Sequence, residues 1–507
     1  MSSSTPPAYD KLIEQVREAS LLSSVSWLLS WDQETFMPPG GAEHRGRQMA
    51  LLAGLVHERA TAPSVGDRLS EVEASSWLKD APQLARGNIA EIRRVYERQK
   101  KLPRALVEEL ARTIPVAQGA WAQAKKSSSF ADFAPHLDKI VKLKREEARA
   151  VSSGGDLYDA LLDEHEPGMT TAEVEKLLGD LERGLVPLVR AIADKVGPSP
   201  PPLPWGARRF PVEQQRVLCA TVPHALGLRA SDHRLDVSAH PFSQRIGPGD
   251  VRITTRFDDR DLRGAYFGVM HETGHAMYEQ GLDPAHDGTP AGEARSLGLH
   301  ESQSRLWENQ VGRSRAYWTH AYPFVRALFP DALGAVDVDA FHRAINRVEP
   351  SFIRTEADEV TYNLHIILRM RIERRILDGA LEVKDVPAAW NDEVKRTLGI
   401  TPPDDARGCL QDVHWGSGAF GYFPTYALGN MFAAQLMEAA RADLGDVDGA
   451  FARGEFAPLL TWLRAKVHKR GAEVRGSQIV KDATGKAPDA AAFLRYVEGK
   501  FKPLYGL

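Results

Sequence analysis

The sequence predicts a mainly α-helical protein with one small antiparallel sheet, and three observations lead to this prediction. Apolar residues recur at helical spacing through most of the 507-residue chain. The alternation typical of strands is confined to residues 234–257. A proline-rich stretch at 198–205 cannot continue a helix, so it is a stiff linker or loop. It divides the chain into a helical first half, 1–197, and a second half, 206–507.

The helices of the first half are predicted from runs with a 3.6-residue apolar period. They lie at 8–30 and near 42–60, 65–79, 84–101, 103–126, 130–152 and 170–196, with a short helical turn within 158–168. In the second half, 234–243 and 251–257 flank a Gly-Pro-Gly turn and predict an antiparallel hairpin. The pattern is helical again beyond 310, including a long helix predicted from Ile353 through Arg371.

The composition is that of an ordinary soluble globular protein, with 43% hydrophobic and 26% charged residues. A net charge of -4 argues against a nucleic-acid partner and against an anionic membrane surface. The only cysteines, Cys219 and Cys409, fit a reducing compartment, and no apolar run is long enough to cross a bilayer. The N-terminus lacks the pattern of a signal peptide. We therefore expect a cytoplasmic protein that does not bind membranes.

An H-E-x-x-H motif at residues 271–275 is the strongest chemical signal in the chain. Asp261 is a plausible N-cap and Gly281 a plausible end of the helix that would carry it. On that helix His271 and His275 share a face, and Glu272 lies beside them. Two imidazoles so placed can coordinate a transition metal, while the carboxylate can deprotonate a metal-bound water. The alternative is a pair of core histidines. Two glycines on the same face, at 264 and 268, predict the close approach of another element.

A catalytic metal site of this kind needs a third protein ligand. Glu301 is the better candidate, since it lies in a run with helical periodicity one loop downstream. His286 and Asp287 are also possible, although they fall in a loop that contains glycine and proline. A solvent-facing role for Glu301 is the alternative that spacing alone leaves open.

Six ordered motifs make the chain resemble the thermostable carboxypeptidase Taq family. They are H-P-F at 240–242, D-x-R-x-T at 250–254, H-E-x-x-H at 271–275, H-E-S-Q at 300–303, I-R-x-x-A-D at 353–358 and G-x-x-Q-D-x-H-W at 408–415. The stretches W-D-Q-x-T-x-M-P at 31–38 and Y-D-A-L-L at 158–162 resemble the family as well. The resemblance therefore covers nearly the whole chain.

This resemblance implies a helical zinc metallocarboxypeptidase in which residues 1–507 form a single peptidase domain. It implies a deep groove between two helical halves, a homodimer, and activity with cobalt in place of zinc. The implied zinc ligands are His271, His275 and Glu301, and the implied catalytic residues are Glu272, His414 and Tyr426. Arg354 is the implied binder of the substrate's terminal carboxylate, with Tyr422 also in contact with substrate. The alignment leaves open which of the two tyrosines faces the oxyanion.

The residues themselves support this chemistry and leave alternatives open. An exopeptidase must recognise a free carboxylate, and the arginine fork pairs with carboxylate in a bidentate way. For Arg354 a salt bridge with Glu356 or Asp358 is the alternative. An oligopeptidase or dipeptidase would use the same zinc site without a carboxylate clamp, that is, without a residue that binds the terminal carboxylate of the substrate. A non-catalytic helical binding protein stabilised by metal is the other alternative, but a structural site needs no base at Glu272 and is closed by four protein ligands.

Overall fold

The computed structural model describes residues 5–152, 154–197 and 201–507, and most of them lie in α-helices. In chain order the helices are α1 (Pro7–Thr35), α2 (Ala42–Thr61), α3 (Pro63–Ala74), α4 (Trp77–Asp80), α5 (Gln83–Lys101), α6 (Arg104–Ser127), α7 (Phe130–Val151), α8 (Leu157–His165), α9 (Thr171–Val196), α10 (Val212–Leu226), α11 (Leu262–Gly281), α12 (Leu297–Arg305), α13 (Arg315–Leu328), α14 (Pro330–Leu333), α15 (Val338–Ile345), α16 (Tyr362–Leu377), α17 (Val386–Leu398), α18 (Pro424–Leu444), α19 (Val447–Ala452), α20 (Ala457–Lys466), α21 (Gly476–Thr484) and α22 (Ala491–Tyr505). The strands are β1 (His233–Val237), β2 (Ser243–Gly247) and β3 (Asp250–Thr255). The prediction of a mainly α protein with one small sheet is confirmed.

The predicted helices of the first half are present with ends that shift by a few residues. The pattern at 65–79 divides into α3 and α4, because Ser75 is extended and donates its N–H to the carbonyl of Val72. Residues 198–200 of the proline-rich stretch lie outside the described residues.

The sheet is mixed, so the prediction of a purely antiparallel hairpin is wrong in part. Strands β2 and β3 pair antiparallel, while β1 pairs with β3 in parallel. The predicted strand 234–243 is two strands, separated where the chain turns at 238–242. The turn is held by Thr254, whose hydroxyl oxygen accepts from the backbone N–H of Phe242 at 3.0 Å and lies 2.6 Å from the hydroxyl of Ser238. These contacts tie the H-P-F motif to the D-x-R-x-T motif.

The chain divides into two compact units, and each takes segments from both sides of the proline-rich stretch. Unit 1 comprises residues up to 100, 203–345 and 436–487. Unit 2 comprises 101–202, 346–435 and 488–507. The single peptidase domain and its groove remain predictions.

Within unit 1, the sheet and two helices support α11, which carries the H-E-x-x-H motif. Strand β3 packs on α11, which also packs on α10 and α12. Within unit 2, α16 is the central helix and packs on α7, α8, α9 and α17. Both α11 and α16 are buried along most of their length, which holds the side chains they carry in place.

Both cysteines are buried. Cys219 and Cys409 are free thiols, and burial raises the pKa of Cys219 to about 12.

Across the described ranges, each long helix is too polar or too charged to serve as a membrane span.

Candidate functional site

Helix α11 begins and ends as the sequence predicts. The Asp261 carboxylate accepts from the backbone N–H of Arg263 at 2.9 Å, which satisfies one of the free donors at the helix start. The helix ends at Gly281. Its buried residues surround a less buried stripe that carries His271 and His275. The two imidazole centroids lie 4.9 Å apart, so the i, i+4 spacing brings the rings together.

Helix α12 carries Glu301 and approaches α11 at one glycine. A Cβ atom on Gly274 would lie 2.6 Å from the carbonyl oxygen of Gln303 and 2.7 Å from the Cα of Ser304. The expected close approaches at Gly264 and Gly268 are wrong: a Cβ at Gly264 would meet nothing within 4 Å, and one at Gly268 only ordinary contacts. Gly274, inside the motif itself, is the position that brings the two helices together.

The side chains of His271, His275 and Glu301 converge to form a metal-ligating set, with candidate ligand atoms all within 4.8 Å of one another. The Glu301 Oε2 atom lies 3.6 Å from Nε2 of His271 and 3.5 Å from Nε2 of His275. Asp287 instead forms an ion pair with Arg245. Among the described residues, the metal-ligating group consists of these three side chains and does not include the loop at 286–287.

Glu308 orients the first histidine from outside the metal-ligating set. The residues after α12 form a turn of π-helix, Leu306–Val311, which contains Glu308. The carboxylate of Glu308 accepts from Nδ1–H of His271 at 2.9 Å. That bond fixes the tautomer in which Nε2 carries the lone pair, which is the arrangement typical of metal-binding histidines.

Arg305 links the two acidic side chains around the histidines. Its Nε donates to Oε1 of Glu301 at 2.7 Å, and its Nη1 lies 3.2 Å from Oε2 of Glu308. Oε1 of Glu301 is therefore engaged by a cation, while Oε2 faces the two imidazoles. This geometry favours a carboxylate that offers one oxygen to a metal.

His300 supports the second histidine by stacking. Its ring lies 4.3 Å from that of His275 with an interplanar angle of 16°, and its Nε2 is 2.9 Å from a carboxylate oxygen of Glu279. The imidazole of His275 is thus fixed by packing on one face.

Burial and neighbouring charges shift the ionisation of these groups in different directions. Burial raises the pKa of Glu272 to about 7. Burial also favours the neutral form of Glu301, but the charges of Arg305 and His271 outweigh it and hold its pKa far below the usual range. Burial lowers the pKa of His275 to about 3. At neutral pH the site therefore offers an ionised Glu301, a neutral His275 and a carboxyl at Glu272 that can both accept and release a proton.

Arg354 lies in unit 2, on a 3₁₀ turn and not on a long helix. The predicted helix from Ile353 is wrong at its start, because the Asp358 carboxylate accepts from the backbone N–H groups of Val360 and Thr361 and turns the chain before α16. Arg354 is 6% exposed. Its Nε and Nη2 donate to one oxygen of Asp412 at 3.1 and 2.8 Å. The alternative prediction, a salt bridge from Arg354 to Glu356 or Asp358, is therefore wrong.

The aromatic and histidine side chains after Asp412 gather around Arg354. The Tyr426 ring lies 4.9 Å from the guanidinium carbon of Arg354, and the Tyr426 hydroxyl is 3.5 Å from Nε2 of His414. Tyr422 packs against both His414 and Tyr426, with centroid distances of 5.4 Å. Burial lowers the pKa of His414 to about 4, so it is neutral near pH 7. The structure brings together Arg354, His414, Tyr422 and Tyr426.

Sequence reasoning missed two polar residues that hold the predicted ones. Glu308 could have been found, since Glu301, Arg305 and Glu308 follow an i, i+4, i+7 spacing that places all three on one face of a helix. Asp412 is 58 positions from Arg354, and no local spacing indicates that pair.

Known proteins resemble the chain over nearly its whole length. The family model described as carboxypeptidase Taq (M32) metallopeptidase matches residues 11–501. Thermostable carboxypeptidase 1 of Thermus thermophilus is 45% identical, covering 98% of this chain and 99% of the relative. Carboxypeptidase 1 of Bacillus subtilis is 38% identical, with the same shares covered. The crystal structure of an M32 carboxypeptidase from Deinococcus radiodurans superimposes with a TM-score of 0.95 at 38% identity, covering 99% of this chain and 100% of that one.

Proposed function

Because the chain belongs to the carboxypeptidase Taq (M32) family of metallopeptidases, it is a metallocarboxypeptidase, and we propose that His271, His275 and Glu301 bind its metal ion. The observation that carries the proposal is the convergence of three ligand atoms within 4.8 Å of one another. Peptides are the substrate class that the family implies. Family membership favours this function over an oligopeptidase without a carboxylate clamp and over a non-catalytic binding protein.

We propose zinc as the metal, with cobalt able to replace it. The donor set fits, because two imidazole nitrogens and one carboxylate oxygen are the ligands of catalytic zinc in other peptidases, with a fourth position left open. The contact from Glu308 to Nδ1 of His271 supports the assignment, since it leaves Nε2 to bind the ion. When bound, such an ion supplies a Lewis acid that lowers the pKa of a coordinated water to about 7 and polarises a carbonyl.

Glu272 is the proposed general base. It accepts a proton from the attacking water and returns it to the nitrogen of the leaving amine. A carboxyl whose pKa lies near 7 is suited to both transfers at neutral pH.

Arg354 is the proposed binder of the peptide's C-terminal carboxylate, which makes the enzyme an exopeptidase. A guanidinium carries five N–H donors. Three side-chain hydrogen bonds of Arg354 engage Asp412 and Tyr362, so two donors remain for the substrate. We further propose His414 and Tyr426 as donors to the oxyanion, with Tyr422 contacting the substrate beside them. The support is their packing around the Arg354 guanidinium.

We also propose a homodimer and a cytoplasmic location. Exposed apolar side chains on α1 and α2, such as Leu21 at 65% and Leu51 at 67%, are suited to an interface between two copies. Two buried free thiols are consistent with a reducing compartment. Sedimentation of the purified protein tests the first proposal, and cell fractionation tests the second.

The Glu301→Ala variant tests the metal assignment. We expect the wild type to bind one zinc per chain and the variant to lose most of it, because one of three protein ligands is removed. Plasma mass spectrometry after dialysis gives the metal content. Glu455→Ala is the control, since Glu455 forms a surface pair with Arg453, far from the motif in sequence. Full zinc content in Glu301→Ala would show that another residue is the third ligand.

The Arg354→Ala variant tests the carboxylate assignment. Charge-assisted hydrogen bonds contribute about 1.5–3 kcal/mol net, so kcat/KM for a free-acid peptide should fall about tenfold or more. The already slow cleavage of the C-terminal amide of that peptide should change little. Equal loss on both substrates would make Arg354 structural.

A further inference from the structure

A second arginine, Arg369 on α16, lies behind the pair of Arg354 and Asp412. Arg369 has no exposed surface. Its Nε and Nη2 donate to Oδ2 of Asp412 at 2.8 and 2.6 Å, while Arg354 donates to Oδ1. Its Nη1 donates to the carbonyl of His365 at 2.7 Å. Each oxygen of the Asp412 carboxylate therefore accepts from a different guanidinium.

This cluster has more positive charge than negative charge. Two guanidiniums and one carboxylate sum to +1 at neutral pH. The two nearby histidines do not change the sum, since burial lowers the pKa of His365 to about 3 and that of His414 to about 4. The Glu373 carboxyl also interacts with the charge of Arg369; burial raises its pKa to about 7, so it is partly protonated at neutral pH, and its oxygens accept from Tyr158 and Trp415. A buried excess charge is costly unless an anion is bound beside it.

We infer that Arg369 is a positioning residue that neutralises Asp412 and so leaves the charge of Arg354 available for the substrate's terminal carboxylate. The inference rests on the proposed function, in which Arg354 binds that carboxylate. Without Arg369, Arg354 and Asp412 would form a closed pair of net charge zero. A carboxylate arriving there would meet a neutral pair whose negative member repels it.

The competing explanation is that Arg369 only packs the core. Its guanidinium carbon lies 4.6 Å from the Trp390 ring centroid and 5.4 Å from that of Phe423, which would suffice for such a role. The two explanations differ in what happens when Asp412 loses its charge. If charge balance matters, removing the charges of Arg369 and Asp412 together restores the excess of +1; if packing matters, the double change is at least as harmful as the single one.

The experiment compares a short peptide as its free acid and as its C-terminal amide, with zinc-loaded enzyme throughout. The readout is the acid-over-amide ratio of kcat/KM, with KM and kcat resolved separately. We expect Arg369→Gln to lower the ratio about tenfold or more, mainly through KM for the acid. The double variant Arg369→Gln with Asp412→Asn should recover most of the ratio. Arg371→Gln is the matched control, because Arg371 is on the same helix and forms a half-buried ion pair with Glu182 instead of with Asp412, so its ratio should equal that of the wild type.

Two further arms separate failure of this inference from failure of the proposed function. If Arg354→Ala keeps the acid-over-amide ratio, the carboxylate clamp is elsewhere and both fail. If the acid-over-amide ratio falls in Arg354→Ala but stays at the wild-type value in Arg369→Gln, only the role of Arg369 is overturned. A ratio that falls in Arg369→Gln and does not recover in the double variant also overturns that role. If Arg369→Gln does not fold, Asp412→Asn decides: the charge account requires a ratio kept or raised, and a loss like that of Arg354→Ala refutes it.

Discussion

Gly274→Ala is the substitution that tests most sharply how the two metal-binding helices are held together. The added Cβ would lie 2.6 Å from the carbonyl oxygen of Gln303, whereas ordinary contact begins near 3.4 Å. Backbone atoms of α12 must therefore retreat by about 0.8 Å, since no flexible side-chain end is there to move instead. Glu301 lies two residues before Gln303 on the same helix and would move with it.

The expected result is weaker metal binding without loss of the fold. Metal–ligand distances tolerate about 0.2 Å, so a shift of this size separates Glu301 from the histidine pair. Changes beside metal ligands typically cost about 10–100-fold in affinity, and we expect that range here. Overpacking costs roughly 1–3 kcal/mol, and replacing a helical glycine returns about 0.5–1 kcal/mol. A modest net fall in Tm should follow.

The assay is a zinc titration against a competing chelator, with Tm measured on the same samples. Gly264→Ala is the matched control, because it makes the same change on the same helix at an exposed position where a Cβ meets nothing within 4 Å. The control should bind zinc as the wild type does and be slightly more stable. If Gly274→Ala binds zinc as tightly as Gly264→Ala, close helix approach does not position Glu301.

Three further substitutions address the base, the orienting carboxylate and the support of the segment after Asp412. Glu272→Gln should keep its zinc and lose about 10²–10⁴-fold in kcat, because the proton acceptor is gone; wild-type turnover in the zinc-loaded variant would exclude Glu272 as the base. Glu308→Gln should lower zinc affinity about 10–100-fold, because the Nδ1–H of His271 loses its charged acceptor; unchanged affinity in the chelator titration would contradict the orienting role. Burial raises the pKa of Glu373 to about 7, so the native state binds more protons than the unfolded state between pH 4.5 and 7. The stability contributed by Glu373 should therefore decline as pH rises through this window, by about 1.4 kcal/mol per pH unit. The Tm of the wild type minus that of Glu373→Gln should accordingly shrink between pH 5 and pH 8, and a difference that grows with pH would refute the assignment.

Local periodicity explains which parts of the fold and site could be predicted. The i, i+4 spacing of His271 and His275 is a property of one helix, so their convergence follows from the sequence. Glu301 required only one further helix with its carboxylate turned toward them. The ends of α11 were predictable because Asp261 caps its start and Gly281 ends it.

Features that depend on distant neighbours could not be predicted in this way. The sequence shows that Gly264, Gly268 and Gly274 lack side chains, but only the packing of α12 shows which glycine is required. The parallel pairing of β1 with β3 was missed because alternation predicts strands and not their order. Asp412 was missed as the partner of Arg354 because acidic residues nearer in sequence were equally plausible.

The most direct test is the reaction itself, followed by mass spectrometry on one unblocked peptide and its C-terminal amide. We expect the wild type to remove single residues in order from the C-terminus of the free acid and to leave the amide largely intact. Removal of metal with a chelator should stop the ladder, and one equivalent of zinc per chain should restore it. Cleavage at internal bonds, equal cleavage of acid and amide, or a ladder that continues without metal would contradict the account.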